Sequence, residues 1–175
     1  MKKAHARRIV DPDKPKPENY GDELTADTLV SKNKQSLGEN PDAFTQKLKQ
    51  VEEQMAYALV FWDAGTEFYS FAPDAKRNYR AARKAFNQVV GPQNNVKQFY
   101  SDNAPELVQA AEEFGWPHST SAPARSTSNA RAERKVQHVE EGVRTVIHRS
   151  GMPIRTWPLA GHLHCRRLLQ KPAEL

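Results

Sequence analysis

The stretch VKQFYSDNAPELVQAAEEFG, residues 96–115, changes its hydrophobic period midway, and that change decides the fold class. Residues 96–101 predict a strand that stops at Ser101, Asp102 and Asn103. From Ala104 onward, Leu107, Ala110, Ala111 and Phe114 fall in helical phase, and Gly115 supplies the stop. A strand that feeds a helix is an α/β unit, and ligands of such sheets gather at the carboxyl ends of the strands. Asp102 stands at such an end, where a carboxylate either caps the following helix or serves a site at the sheet edge.

Working outward, DELTADTLV (22–30) alternates, with Leu24, Ala26 and Thr28 on one face and Thr25, Asp27 and Leu29 on the other. It predicts a short strand with Asp27 near its end. MAYALVFWD (55–63) and TEFYSFA (66–72), separated by Ala64 and Gly65, predict a β-hairpin. From Asp74, a candidate N-cap, Tyr79, Ala82, Phe86, Val89 and Val90 recur at helical spacing until Gly91 and Pro92. Lys76, Arg80, Arg83 and Lys84 form a basic stripe on the opposite face, expected to be solvated. Beyond Gly115 a short strand leads into ARSTSNAR (124–131), too polar for core and expected to be a mobile loop. Val136, Val139, Val143, Val146 and Ile147 then mark a long helix that begins near Asn129, carries Glu133 in its first turn and tolerates Gly142. Residues 153–171 predict a last helix. The early strands are expected to be antiparallel neighbours, and the later ones need crossover helices.

A chain of 175 residues holds one ordinary domain. Its 38% hydrophobic content, mean hydropathy of −0.81 and 12 prolines imply irregular segments beside the core. Residues 1–19, with two Lys-Pro pairs, are expected to be a basic flexible lead-in; 20–165 the folded core, with 31–50 an inserted loop; and 166–175 a tail. The net charge of +5 and pI near 9.3 suit a polyanionic partner without identifying one. Cys165 is the single cysteine, which excludes an internal disulfide framework and a Cys-x-x-Cys zinc site. A reducing compartment, nucleus or cytoplasm, is therefore expected rather than secretion. No apolar run approaches the ~20 residues of a membrane span, so no membrane association is expected. His162, His164 and Cys165 crowd three ligands into four residues without a fourth partner, and are assigned to a helix rather than to zinc. Trp62, Trp116 and Trp157 are assigned to packing.

Asp27 and Asp102 end two strands that can lie side by side, and Glu133 opens a helix whose N-terminus can reach the same edge. Carboxylates ~4 Å apart repel by about 4 kcal/mol at an effective dielectric near ~20, so a converging trio must be protonated, spread apart or neutralised by a cation. Hard oxygen donors suit Mg²⁺ or Mn²⁺, and two such ions roughly 3.5–4 Å apart can activate a nucleophile and stabilise the leaving oxygen of a phosphodiester. Spacing does not single out this trio among 21 acidic residues. Helix capping by Asp102 and dipole complementation by Glu133 account for two of the three just as well.

The segments GDELTAD (21–27), YALVFWDAGTEFYSFAP (57–73) and QFYSDNAPELVQAAEEFGWPHSTSAPARSTSNARAERKVQHVEEGVRTVI (98–147) resemble, in order and spacing, the integrase catalytic core of retroviruses and long-terminal-repeat retrotransposons. The match spans residues 20 to about 165; SDNAPEL and NARAER, with 30 residues between Asp102 and Glu133, are its specific part. The resemblance implies a ribonuclease-H-like α/β fold, a mixed five-stranded sheet flanked by helices, and DNA integration by 3′-end processing and strand transfer. It implies two Mg²⁺ or Mn²⁺ ions, with Asp27 bridging them, Asp102 holding one and Glu133 the other. Residues 120–131 become the mobile active-site loop, and Arg125, Asn129, Arg131, Arg134, Lys135 and Gln137 face nucleic acid. Element and target DNA and further copies of the chain are the implied partners. Asp63 also ends a hydrophobic strand, but DAGT (63–66) reads as a hairpin tip, at the end of the sheet away from Asp102. The chain departs from the family pattern at Ala130, usually Gly, and at Gln137 and Glu140, where basic residues are usual. Glu140 beside a phosphate exchanges attraction for repulsion. The alternatives to an active core are an inactive nucleic-acid-binding remnant and a ribonuclease-H-like nuclease without strand transfer.

Overall fold

The computed structural model describes residues 16–31, 55–91, 95–120 and 130–169, with side chains of the last segment from residue 133 onward. Five strands, β1 (Leu24–Val30), β2 (Tyr57–Asp63), β3 (Tyr69–Asp74), β4 (Phe99–Ser101) and β5 (His118–Thr120), form one sheet in the order β3-β2-β1-β4-β5. β1, β2 and β3 pair antiparallel, whereas β4 runs parallel to β1 and β5 parallel to β4. Four α-helices accompany them: α1 (Tyr79–Val90), α2 (Pro105–Glu113), α3 (Ala130–Ser150) and α4 (Trp157–Leu169), the last preceded by a 3-10 turn at Ile154–Thr156. The fold is the mixed five-stranded α/β sheet with helices that the ribonuclease-H-like expectation described.

Strand alternation produces two cores. Leu24, Ala26 and Phe61 point to one face and bury Phe86 of α1 and Leu107 of α2. Leu29, Val60 and Phe71 point to the other and bury Val139 of α3 and Trp157 of α4. All three tryptophans are buried, Trp116 stacking on Phe86 with ring centroids 4.7 Å apart. Close helix packing depends on two glycines. A Cβ at Gly161 would lie 2.3 Å from the Phe71 ring, and one at Gly142 2.1 Å from the His164 ring. Gly142 therefore marks the place where α4 lies against α3, which explains a glycine inside an otherwise apolar stripe. No helix among the described residues is long and apolar enough to cross a membrane.

Three details differ from the expected elements. Pairing of β1 with β2 continues to Val30 and Tyr57, so Asp27 is internal to that ladder; against β4 the recorded pairs stop at Leu24–Phe99 and Thr25–Tyr100. α1 begins at Tyr79 rather than just after Asp74, because Asn78 supplies the N-cap oxygen to the Ala81 N–H at 3.0 Å. Asp74 instead closes β3 and accepts from the Ala75 N–H at 2.7 Å. α4 ends at Leu169, within the helix expected over 153–171. The expected inserted loop, beyond Ser31, and the lead-in before Lys16 lie outside the described residues.

Candidate active site

The parallel pairing of β1 and β4 places their carboxyl ends at one sheet edge, and its register offset, continued two places past Thr25–Tyr100, sets Asp27 level with Asp102. Asp27 shares its face of β1 with Leu29, the face covered by α3 and α4. Its Oδ1 accepts from the Thr28 N–H at 2.7 Å. Burial raises the Asp27 pKa above 3.8, the negative fields of Asp102 and Glu133 add to the rise, and the Thr28 hydrogen bond and Arg77 oppose it. Those fields place both other carboxylates within electrostatic reach of Asp27.

Asp102 directly follows β4, and it does not cap α2. The cap position is Ala104, which has no side-chain hydrogen bond, and Pro105 occupies the first turn, where its missing N–H costs nothing. Asp102 Oδ2 accepts from Arg77 Nη2 at 3.2 Å, while Oδ1 is buried with no hydrogen-bond partner among the described residues. An acceptor taken out of water and left open costs about 1–3 kcal/mol, which a cation or water at the site would recover. The turn holding Asp102 is tied down by Ser101, whose hydroxyl donates to the Asp102 carbonyl at 2.7 Å and meets His118 Nε2 of β5 at 2.8 Å. Burial lowers the His118 pKa against the opposing pull of Asp102.

Glu133, in the first turn of α3, is exposed, and among the described residues no three His, Cys, Asp or Glu side chains stand close enough together to hold a metal ion. The register sets Asp27 and Asp102 level on neighbouring strands, and the fields of both Asp102 and Glu133 reach Asp27; residues 121–129, just before the helix that carries Glu133, lie outside the described residues. The pair fits a hard divalent cation: its donors are carboxylate oxygens, one oxygen of Asp102 is buried and open, and burial, with the field of Asp102 adding to it, disfavours ionisation of Asp27.

The residues expected to face nucleic acid stand in different surroundings. Arg134 and Gln137 are exposed, Arg125 and Asn129 lie outside the described residues, and so does the Arg131 side chain. Lys135 is drawn away to the β2–β3 hairpin: its Nζ lies 3.0 Å from Glu67 Oε2, 4.3 Å from the centroid of the Trp62 ring and 5.5 Å from that of Tyr69. Glu140 is paired with Arg144 one turn along α3, which offsets its negative charge.

Two residues of this edge escaped the sequence reading, Arg77 and Glu106. Arg77 lies between β3 and α1 and bridges the Asp102 and Glu106 carboxylates through Nη2 and Nε respectively. Taking Asp74 as the helix cap hid it among the basic residues of the following helix. The local signal that could have exposed it is Asn78, a better cap, which leaves Arg77 in the connection beside the sheet edge.

No protein-family model and no curated protein matches this chain. Solved structures do. The catalytic core domain of BIV integrase superposes with a TM-score of 0.59 at 12% identity, covering 89% of this chain and 88% of that one. A chain of the simian T-cell lymphotropic virus intasome superposes with a TM-score of 0.58 at 13% identity, covering 94% of this chain and 62% of its own length. The fold is that of retroviral integrase catalytic cores.

Proposed function

From a fold shared with integrase cores and two carboxylates set level on neighbouring parallel strands, we propose that this chain is the catalytic core of a retrotransposon integrase. It is read as a polynucleotidyl transferase acting on DNA. The observation that carries the proposal is the open, buried Oδ1 of Asp102, on a residue level with Asp27 and released from any capping duty. Asp27 and Asp102 would hold Mg²⁺ or Mn²⁺, with Glu133 completing the donor set. When bound, such ions supply Lewis-acid stabilisation to the attacking and leaving oxygens of a phosphodiester. The Ser101–His118 contact keeps the turn that carries Asp102 in place, so that the carboxylate need not reorganise on loading. The reaction class is in-line displacement at phosphorus, first by water at the element's end and then by the freed 3′-hydroxyl on target DNA. Multimeric action and a nuclear or cytoplasmic setting belong to the same proposal.

The test is Mn²⁺-dependent nicking and joining of a labelled duplex. Wild-type chain is expected to nick, and Asp102→Asn to lower the rate by more than about 100-fold, beyond the 10–100-fold typical of a ligand's outer-shell partner. Nicking unaffected by Asp102→Asn would refute the assignment. A second reading, an inactive nucleic-acid-binding remnant, draws on the diversion of Lys135 to Glu67 in the helix that carries Glu133. Duplex binding without nicking would select it, and nicking without joining would select a simple nuclease.

A further inference from the structure

We propose that Arg77 is a resident counter-cation of the carboxylate pair, which a divalent ion must displace from Asp102 before the site is loaded; this inference rests on the function proposed above. The guanidinium is held from two sides. Nε binds Glu106 Oε1, in the first turn of α2, and Nη2 reaches Asp102 Oδ2 at 3.2 Å. Its positive field also reaches Asp27, where it opposes the effects of Asp102 and Glu133. One side chain therefore pairs directly with Asp102 while its anchor, Glu106, stays outside the pair. Like charges that feel each other need a partner, and Arg77 is the cation that the chain sets beside Asp102.

The bridge is two-ended by geometry and unequal by function. The Asp102 contact engages one oxygen of a carboxylate whose other oxygen remains open. The Glu106 contact can persist after Nη2 lets go, so displacement requires a change at one end of the guanidinium rather than withdrawal of the whole side chain. Arginine suits this role because its planar fork serves two acceptors at once, whereas the lysine ammonium is a point charge. At 40% side-chain exposure Arg77 is partly screened, which keeps the bond weak enough to exchange for a divalent ion.

The test is Mn²⁺ titration of the metal-stripped chain, followed by calorimetry and by the electron spin resonance signal of free Mn²⁺. Arg77→Gln is expected to bind Mn²⁺ roughly 2- to 5-fold more tightly than wild type, the fold-change that corresponds to removing a half-exposed ion pair. Arg77→Lys, which keeps the charge and loses the fork, is expected to fall between them. Unchanged or weaker binding by Arg77→Gln overturns the inference, circular dichroism melting having established that the variant is folded. The gain must also disappear in the Arg77→Gln, Asp102→Asn double variant; if it persists, the cation acts elsewhere and the inference fails. If wild-type Mn²⁺ binding does not depend on Asp102 at all, the metal site itself is refuted, a result distinguishable from a failure of Arg77 alone.

Discussion

Asp63 and Asp102 both close strands of the same sheet, at opposite ends, and the fold treats them in opposite ways. Asp63 is fully buried: Oδ2 accepts from the Gly21 N–H at 2.8 Å, and Oδ1 accepts from the Thr66 N–H at 2.9 Å and the Thr66 hydroxyl at 2.8 Å. Its neighbourhood is closed around it, since a Cβ at Gly65 would lie 2.3 Å from the Asn19 carbonyl oxygen. Asp102 has one oxygen on a half-exposed arginine and the other buried without a partner among the described residues. The difference separates a carboxylate that builds a turn from one left with an open acceptor. Satisfaction of the oxygens makes that distinction, whereas burial alone would have selected Asp63.

Exchange experiments at the two ends should therefore split activity from stability. The largest effect expected is the loss of Mn²⁺-dependent nicking by more than about 100-fold in Asp102→Asn, with the urea midpoint little changed. Asp63→Ala should do the reverse. Removing an acceptor that serves three donors leaves buried N–H groups open, and should lower unfolding free energy by about 3–5 kcal/mol in urea titrations. Mn²⁺ affinity of the folded fraction should stay at the wild-type value. A fall in affinity with Asp63→Ala, at a denaturant concentration where the chain remains folded, would collapse the contrast.

A smaller effect concerns Asp27, which shares the open end. Burial, then the fields of Asp102 and Glu133, hold its pKa above 3.8. The folded chain thus binds that proton more tightly than the unfolded chain. The stabilisation it brings is fully present below the unfolded value near 3.8 and is lost as pH rises through the raised folded value. Asp27→Asn has no such proton to lose. In metal-free buffer its stability relative to wild type should climb with pH from about 3.8 and level off above the folded value. A difference that stays flat between about pH 3 and pH 8 would show that Asp27 carries no such strain.

Much of this contrast was legible in the residues. Period changes at Ser101 and Gly115 placed β4 and α2, and DAGT placed Asp63 in a hairpin turn, far from Asp102. What could not be read was whether Asp102 caps α2, because a Ser-Asp-Asn sequence before a helix is as good a cap as any. Pro105 held the answer, since proline in the first turn puts the cap at Ala104. Arg77 was hidden for a different reason: its partners lie 25 and 29 residues away, and no local pattern reports a pair formed across a sheet edge. The same holds for Gly142, whose need for an absent side chain comes from His164 on another helix. Periodicity reports which face a residue uses, and it is silent on which partner that face meets.

Lys135 tests the boundary between the two ends, because it sits two residues beyond Glu133 yet is bound to the hairpin that Asp63 closes. Its resemblance-based role was on nucleic acid, but its ammonium lies over Trp62 and Tyr69 and pairs with Glu67. Trp62 Nε1 also donates to Glu67 Oε2 at 3.0 Å, so one carboxylate oxygen gathers an indole and an ammonium. The contact pins the start of α3 and thereby limits where Glu133 can stand. Lys135→Met keeps the aliphatic stem and removes the charge, and should cost about 1 kcal/mol, the sum of a partly exposed cation–π contact and a screened ion pair. Duplex affinity of the variant should be unchanged and lose none of its salt dependence, since a lysine already neutralised by Glu67 releases no phosphate counterion. A salt slope shallower by about one unit would instead put Lys135 on the phosphate backbone and move the hairpin end into the DNA-binding surface.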